Sequence, residues 1–262
     1  MFRHNVPGSA CRRSRKLLLF EPGFSYHAWL MASTLNGYLS ETRRPVYSAA
    51  LIVPFLCIYH AGTVVLNTTY INGADALIIR ILSLLTVHSM FGSVLVLAAC
   101  FVIWQLRTHA SWNIKLNILG IYFLESVLFA LLLLLAFGWL RTHLSLAPVQ
   151  KNSVLANLVL YCGAGIYEEL VFRGFLLGLL TLVLCRLYPR NKRIAAASAA
   201  VLAALLFSFF HYIGPAGDTF AFGSFLQRAA GGLYFSILFL TRGFGVTAAS
   251  HAIYDILVGI FL

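Results

Sequence analysis

Apolar residues run nearly unbroken through positions 46–66, about 83–106, 116–140, 154–187, 194–213, 226–240 and 246–262, with polar, glycine- or proline-bearing breaks between them. A run of ~20 apolar residues matches the ~30 Å hydrocarbon core of a bilayer. No water reaches the backbone there, so each run must satisfy its own N–H and C=O groups, which a helix does. Charged residues are 10% of the 262, against roughly 25% in soluble globular domains. A soluble enzyme is excluded, and the pattern predicts an all-α, polytopic transmembrane helical bundle of about six to eight spans.

The surplus of base is a matter of topology. Lys and Arg number 19 against 8 Asp and Glu, a net +11. In a soluble chain this would suggest nucleic acid; beside membrane spans it marks loops facing the cytoplasm and anionic lipid, and no nucleic-acid partner is expected. Arg3, Arg12, Arg13, Arg15, Lys16, Arg43 and Arg44 precede the first span, 67–75 carries no base, and Arg107 and Lys115 follow the second. The N-terminus is thus expected inside. The run at 17–20, stopped by Glu21-Pro22, is too short for a signal-peptide core. Arg186, Arg190, Lys192 and Arg193 also call for the cytoplasm, so 154–187 makes one net crossing. At ~1.5 Å per residue it is ~50 Å long, which predicts a tilted, broken or partly re-entrant helix. Cys11, Cys57, Cys100, Cys162 and Cys185 form no CxxC pair and read as small hydrophobes rather than disulfide or thiolate-metal partners.

The scarce acids are more informative. They are Glu21, Glu41, Asp75, Glu125, Glu168, Glu169, Asp218 and Asp255. Ile166-Tyr167-Glu168-Glu169-Leu170-Val171-Phe172-Arg173-Gly174 puts two carboxylates and a guanidinium into apolar sequence, where each charge costs ~2.5–3.5 kcal/mol on insertion scales unless compensated. On a helix Glu169 and Arg173 are i,i+4 and can pair, while Glu168 is turned by about 100° and left free to face a cavity. Two further elements are Phe207-Ser208-Phe209-Phe210-His211, an imidazole ending an Ala/Leu/Phe-rich helix, and His251-Ala252-Ile253-Tyr254-Asp255, an i,i+4 His/Asp pair. His60, His88 and His143 read as packing residues. A base, two imidazoles and an acceptor together are what polarising a water and stabilising an oxyanion require.

In the order EExxxR (Glu168, Glu169, Arg173), FxxxH (Phe207, His211) and HxxxN/D (His251, Asp255), the chain resembles the CPBP family of intramembrane proteases, which includes eukaryotic CAAX prenyl endopeptidases and bacterial Abi proteins. The likeness covers about 154–258. It implies a bundle with an internal polar active-site cavity that hydrolyses peptide bonds of membrane-anchored protein or peptide substrates. By that analogy Glu168 activates water with help from His211, His251 and position 255 bind the oxyanion, and Glu169 and Arg173 position the site. The domain reading is then 1–45, a basic cytoplasmic segment; 46–153, transmembrane helices without a motif; and 154–262, a CPBP-like catalytic transmembrane domain.

One position departs: the family often has Asn where this chain has Asp255. An ionised Asp cannot donate to an oxyanion, so Asp255 must be protonated, orient His251 or bind a metal. The family has been described both as metallo- and as glutamate proteases. No obligatory cofactor is expected; if zinc is bound, Glu168, His211 and His251 match a two-histidine, one-carboxylate set, although HExxH is absent. A bacterial cytoplasmic membrane protein is the expected setting, and the sequence says nothing of oligomeric state.

Other chemistries fit less well. A rhomboid-like serine enzyme would carry GxSG. A presenilin-like enzyme would carry YD followed by GxGD, whereas Tyr254-Asp255 is preceded by Gly214-Pro215-Ala216-Gly217-Asp218. A transporter or channel would use Glu125, Glu168, Glu169 and Asp255 as a proton or cation path, but the halves show no repeat. Glu125 is the residue that reading favours, the alternative being a partner for a neighbouring His or Arg.

Overall fold

The computed structural model describes residues 26–66, 71–87, 89, 91–143, 153–214 and 217–261; the arginines before position 26, Cys11 and His88 lie outside them. The chain divides into a first unit, Met1–Tyr38, and a second, Leu39–Leu262. Among the described residues the structure is all helical: α1 Tyr26–Thr42, α2 Pro45–Val65, α3 Gly73–Leu84, α4 Gly92–Thr108, α5 Leu116–His143, α6 Val154–Leu187, α7 Lys192–Phe210, α8 Phe222–Arg242 and α9 Phe244–Phe261. Of these, α2, Leu116–Gly138 of α5, α6 and α7 are long and apolar enough to cross a membrane, and α4 is a shorter apolar helix. The protein is an integral membrane helical bundle.

Sequence punctuation sets several helix starts. Pro45 opens α2, where its missing N–H costs nothing. The side chains of Asn72, Ser153 and Asn191 accept from Ala74, Ala156 and Ile194 backbone N–H groups and cap α3, α6 and α7. One expected span is corrected. The apolar stretch about 83–106 is not one helix: α3 ends at Leu84, a turn follows through a left-handed Thr86, and α4 begins at Gly92. Uniform apolarity across that stretch hid the turn, because hydropathy carries no periodicity when all faces are greasy.

The 154–187 run is one helix, and it gains its unusual character by winding rather than by breaking. Val154–Gly163 and Gly178–Leu187 are α-helical, while Ala164–Glu168 and Leu170–Leu177 are π-helical. Wide π turns are rare and recur at functional sites. Here they carry the EExxxR motif.

α9 is central in the second unit, packed against α2, α5, α6 and α8. Its Val246, Ala248, Ala249 and Ala252 are fully buried. Gly165, in the first π segment, sits against it so closely that a Cβ would lie 2.5 Å from the Ala252 backbone nitrogen. In lipid, small residues at such contacts substitute for the missing hydrophobic drive by letting backbones approach. The same device joins α7 to α6, where Ala199, Ala200 and Ala203 surround Leu177. Gly243, at φ +88°, is the single residue between α8 and α9, a left-handed link that any side chain would strain.

Candidate active site

Glu169 is the anchor. Fully buried on the π-helical stretch, it accepts from Arg173 Nη1 at 2.8 Å and meets His251 Nδ1 at 2.7 Å through the same oxygen, Oε1. Arg173, 1% exposed, also donates to the Gly232 carbonyl of α8 at 3.1 Å and lies over the Phe207 ring, 4.4 Å from its centroid. The predicted Glu169–Arg173 pair is thus present, extended by a third member from α9. A buried charge is tolerated only when paired and hydrogen-bonded, and each of these two meets that condition.

His251 is fixed from all sides. Phe235 stacks on it with centroids 4.5 Å apart and planes at 20°. Its Nε2 lies 3.4 Å from Asp255 Oδ2 and 4.0 Å from Glu168 Oε2. Both ring nitrogens therefore face carboxylates, and only an imidazolium can donate at both. The structure brings Glu168, Glu169, Arg173, His251 and Asp255 together from α6 and α9.

His211 is placed at the edge of this group. It lies one residue beyond α7, its Nδ1 is 3.0 Å from the Phe207 carbonyl, and its ring meets Phe207 edge-on at 4.9 Å. Phe207 in turn faces His251 at 6.2 Å, so one aromatic ring separates the two imidazoles. A carbonyl only accepts, so Nδ1 carries the proton and Nε2 is left as an acceptor. No hydrogen bond between His211 and Glu168 occurs among the described residues. α7 packs against α6 and α8.

One expectation is revised. Glu168 is not free: its Oε1 accepts from Asn72 Nδ2 at 2.9 Å, so the half of the chain without a motif reaches the site. Sequence reasoning missed Asn72 because it stands in a short break between apolar runs, where an Asn reads as a turn residue or cap. Among the described residues no group of three His, Cys, Asp or Glu side chains stands ready to hold a metal ion.

Glu125 has a different role. Arg242 grips it through Nε and Nη2, the latter 2.6 Å from Oε2, and also reaches Thr42 Oγ1 at 3.2 Å. This is the partnered alternative, a tie between α5 and the end of α8. His60 meets the Tyr167 hydroxyl at 2.7 Å, a polar packing contact.

Residues 150–257, the segment holding all six grouped or flanking side chains, match the family model described as Type II CAAX prenyl endopeptidase Rce1-like. This segment is similar to the CPBP family. Among curated proteins and among solved structures nothing matches the chain. The CPBP match carries a general activity, that of a CAAX-type intramembrane endopeptidase acting on membrane-anchored proteins in a lipid bilayer. Within the CPBP segment the EExxxR motif occupies the π-helical stretch of α6, and HxxxD occupies α9.

Proposed function

We propose that this CPBP-like protein hydrolyses a peptide bond in a membrane-anchored or CAAX-like protein or peptide, with Glu168 as the general base. The observation that carries the reading is the arrangement around His251. Arg173 holds Glu169, Glu169 holds Nδ1, and Nε2 is left 4.0 Å from Glu168 Oε2, so that a carboxylate and an imidazolium can act on one reacting centre.

Glu168 takes a proton from water while His211 Nε2 accepts the other water hydrogen as a hydrogen bond. The hydroxide adds to the scissile carbonyl carbon, and the oxyanion is met by the His251 Nε2–H. Glu168 then passes its proton to the amide nitrogen as the C–N bond breaks, giving a new carboxylic acid and an amine. Asp255, 3.4 Å from His251 Nε2 in the free site, keeps the imidazolium charged and oriented until the same N–H turns to the oxyanion, which favours the orienting role among those open to an Asp at this position.

The experiment is a comparison of membrane proteomes from cells carrying the wild-type protein and Glu168→Gln, with insertion checked by membrane fractionation. One or a few accumulating precursors are expected in the variant. Full processing by Glu168→Gln would overturn the reading. The basic residues before the first span argue for an N-terminus in the cytoplasm.

A further inference from the structure

We propose that Asn72 is a positioning residue for this reaction: its side-chain amide fixes Glu168, so the N-terminal half of the chain completes the active site. The proposal rests on the reading of Glu168 as the base.

Asn72 is buried at 8% exposure, and four bonds hold it, one of them from the Ala76 N–H to its carbonyl at 2.9 Å. Its Oδ1 accepts the Ala74 N–H at 2.9 Å, capping α3, and its Nδ2 donates to Glu168 Oε1 at 2.9 Å. The cap decides the amide's orientation: a backbone N–H only donates, so the oxygen faces the helix and the NH2 faces the carboxylate. Its own backbone N–H donates to the Tyr59 hydroxyl at 3.1 Å, and that hydroxyl donates to Asp75 Oδ2 at 2.6 Å. Tyr59 and Asp75 are 0% and 2% exposed. Gly163 makes room for the Tyr59 ring, since a Cβ there would fall 2.4 Å from it. The amide is thereby locked on a buried frame built from α2, α3 and α6.

The need for a neutral donor follows from the charges. Glu168, Glu169 and Asp255 all face one imidazole, and Arg173 is committed to Glu169 and the Gly232 carbonyl. Among the described residues Asn72 is the hydrogen-bond donor to Glu168. Its bond makes the two carboxylate oxygens inequivalent. Oε1 is held, and Oε2 is the oxygen left to take the proton from water. Without that bond the carboxylate can swing onto His251 Nε2 as a direct ion pair and close the space the reacting atoms need.

The alternative role, a helix cap and nothing more, is separable. Asn72→Asp and Asn72→Ser keep a good capping oxygen but present no N–H to Glu168. With the purified full-length protein in proteoliposomes and a farnesylated CaaX-terminated peptide as probe, both variants are expected to lose kcat on the order of 10- to 100-fold. KM should stay within about twofold because the substrate contacts remain; Asn72→Ser keeps the cap and should leave the thermal midpoint unchanged, whereas Asn72→Asp sets a second carboxylate against Glu168 and should lower it. Asn72→Ala loses the cap as well and should also lower the midpoint. Wild-type kcat in the Asp and Ser variants would reduce Asn72 to a cap and overturn the proposal while leaving Glu168 as base. No cleavage by the wild type, or wild-type cleavage by Glu168→Gln, would instead overturn the reading beneath it.

Discussion

At the scale of single residues the site is a balance of a few buried charges. Glu169 and Arg173 are 0% and 1% exposed, and removing either strands the other away from water. Arg173→Met is therefore expected to cost about 3–5 kcal/mol of stability, read as a lowered denaturation midpoint in detergent, with activity lost as a consequence. Asp255 gives a milder outcome. In Asp255→Asn a carboxamide oxygen still accepts from His251, and the NH2 can meet the oxyanion, so cleavage should persist. Asp255→Ala removes the partner and should lower kcat roughly tenfold or more; equal activity of the Asn and Ala variants in the peptide assay would show that position 255 does not act on His251. The i,i+4 pairs Glu169/Arg173 and His251/Asp255 were legible because spacing on a helix dictates who can meet. Asn72 was not, because its partner is 96 residues away and nothing in the local pattern marks it.

At the scale of elements, α6 carries the unexpected feature. Its length suggested a tilted, broken or partly re-entrant helix; it is unbroken and underwound to π turns across the motif. The wide turns bring Gly165 against the backbone of α9, which is what sets Glu168 and Glu169 beside His251. Gly165→Ala should prevent that approach, since the added Cβ would meet backbone atoms that cannot move aside: 2.5 Å to Ala252 N and 2.6 Å to Ala248 O. Loss of folded protein by size-exclusion chromatography is expected. Gly178, at the next π-to-α junction of the same helix, has nothing within 4 Å of its Cβ position. Gly178→Ala should leave the protein folded and stabilise it by about 0.5–1 kcal/mol, the usual gain of Ala over Gly in a helix. The π winding had no sequence signal, because it depends on how the helix is held by its neighbours rather than on which residues compose it.

At the scale of the whole molecule, the conserved accounting is between intramembrane charge and partner. Glu125 and Arg242, 117 residues apart, form a bidentate pair that ties α5 to the end of α8. Glu125→Gln should lower the thermal midpoint while kcat per folded molecule stays at the wild-type value, because this pair is part of the scaffold. A drop in kcat with an unchanged midpoint would place Glu125 in the chemistry instead. The farther a partner lies along the chain, the less its identity can be read in advance. Each acid inside an apolar run could be recognised as needing compensation; a partner four residues away on the same helix could be named, but one on another helix could not.

The sequence by itself determined that the chain is an all-helical membrane protein, because so few charges leave no alternative for the backbone in lipid. It also determined the general activity, because the rare acids and histidines fall in a family pattern within 150–257. Only the tertiary structure decided how those groups meet: that Glu169 rather than Glu168 takes His251 Nδ1, that an aromatic ring separates the two imidazoles, and that Glu168 is held by an amide from the other half of the chain. The physical reason is the same in each case. Periodicity specifies which face of a helix a residue occupies, whereas the partner across that face is chosen by close packing between helices that are distant in sequence.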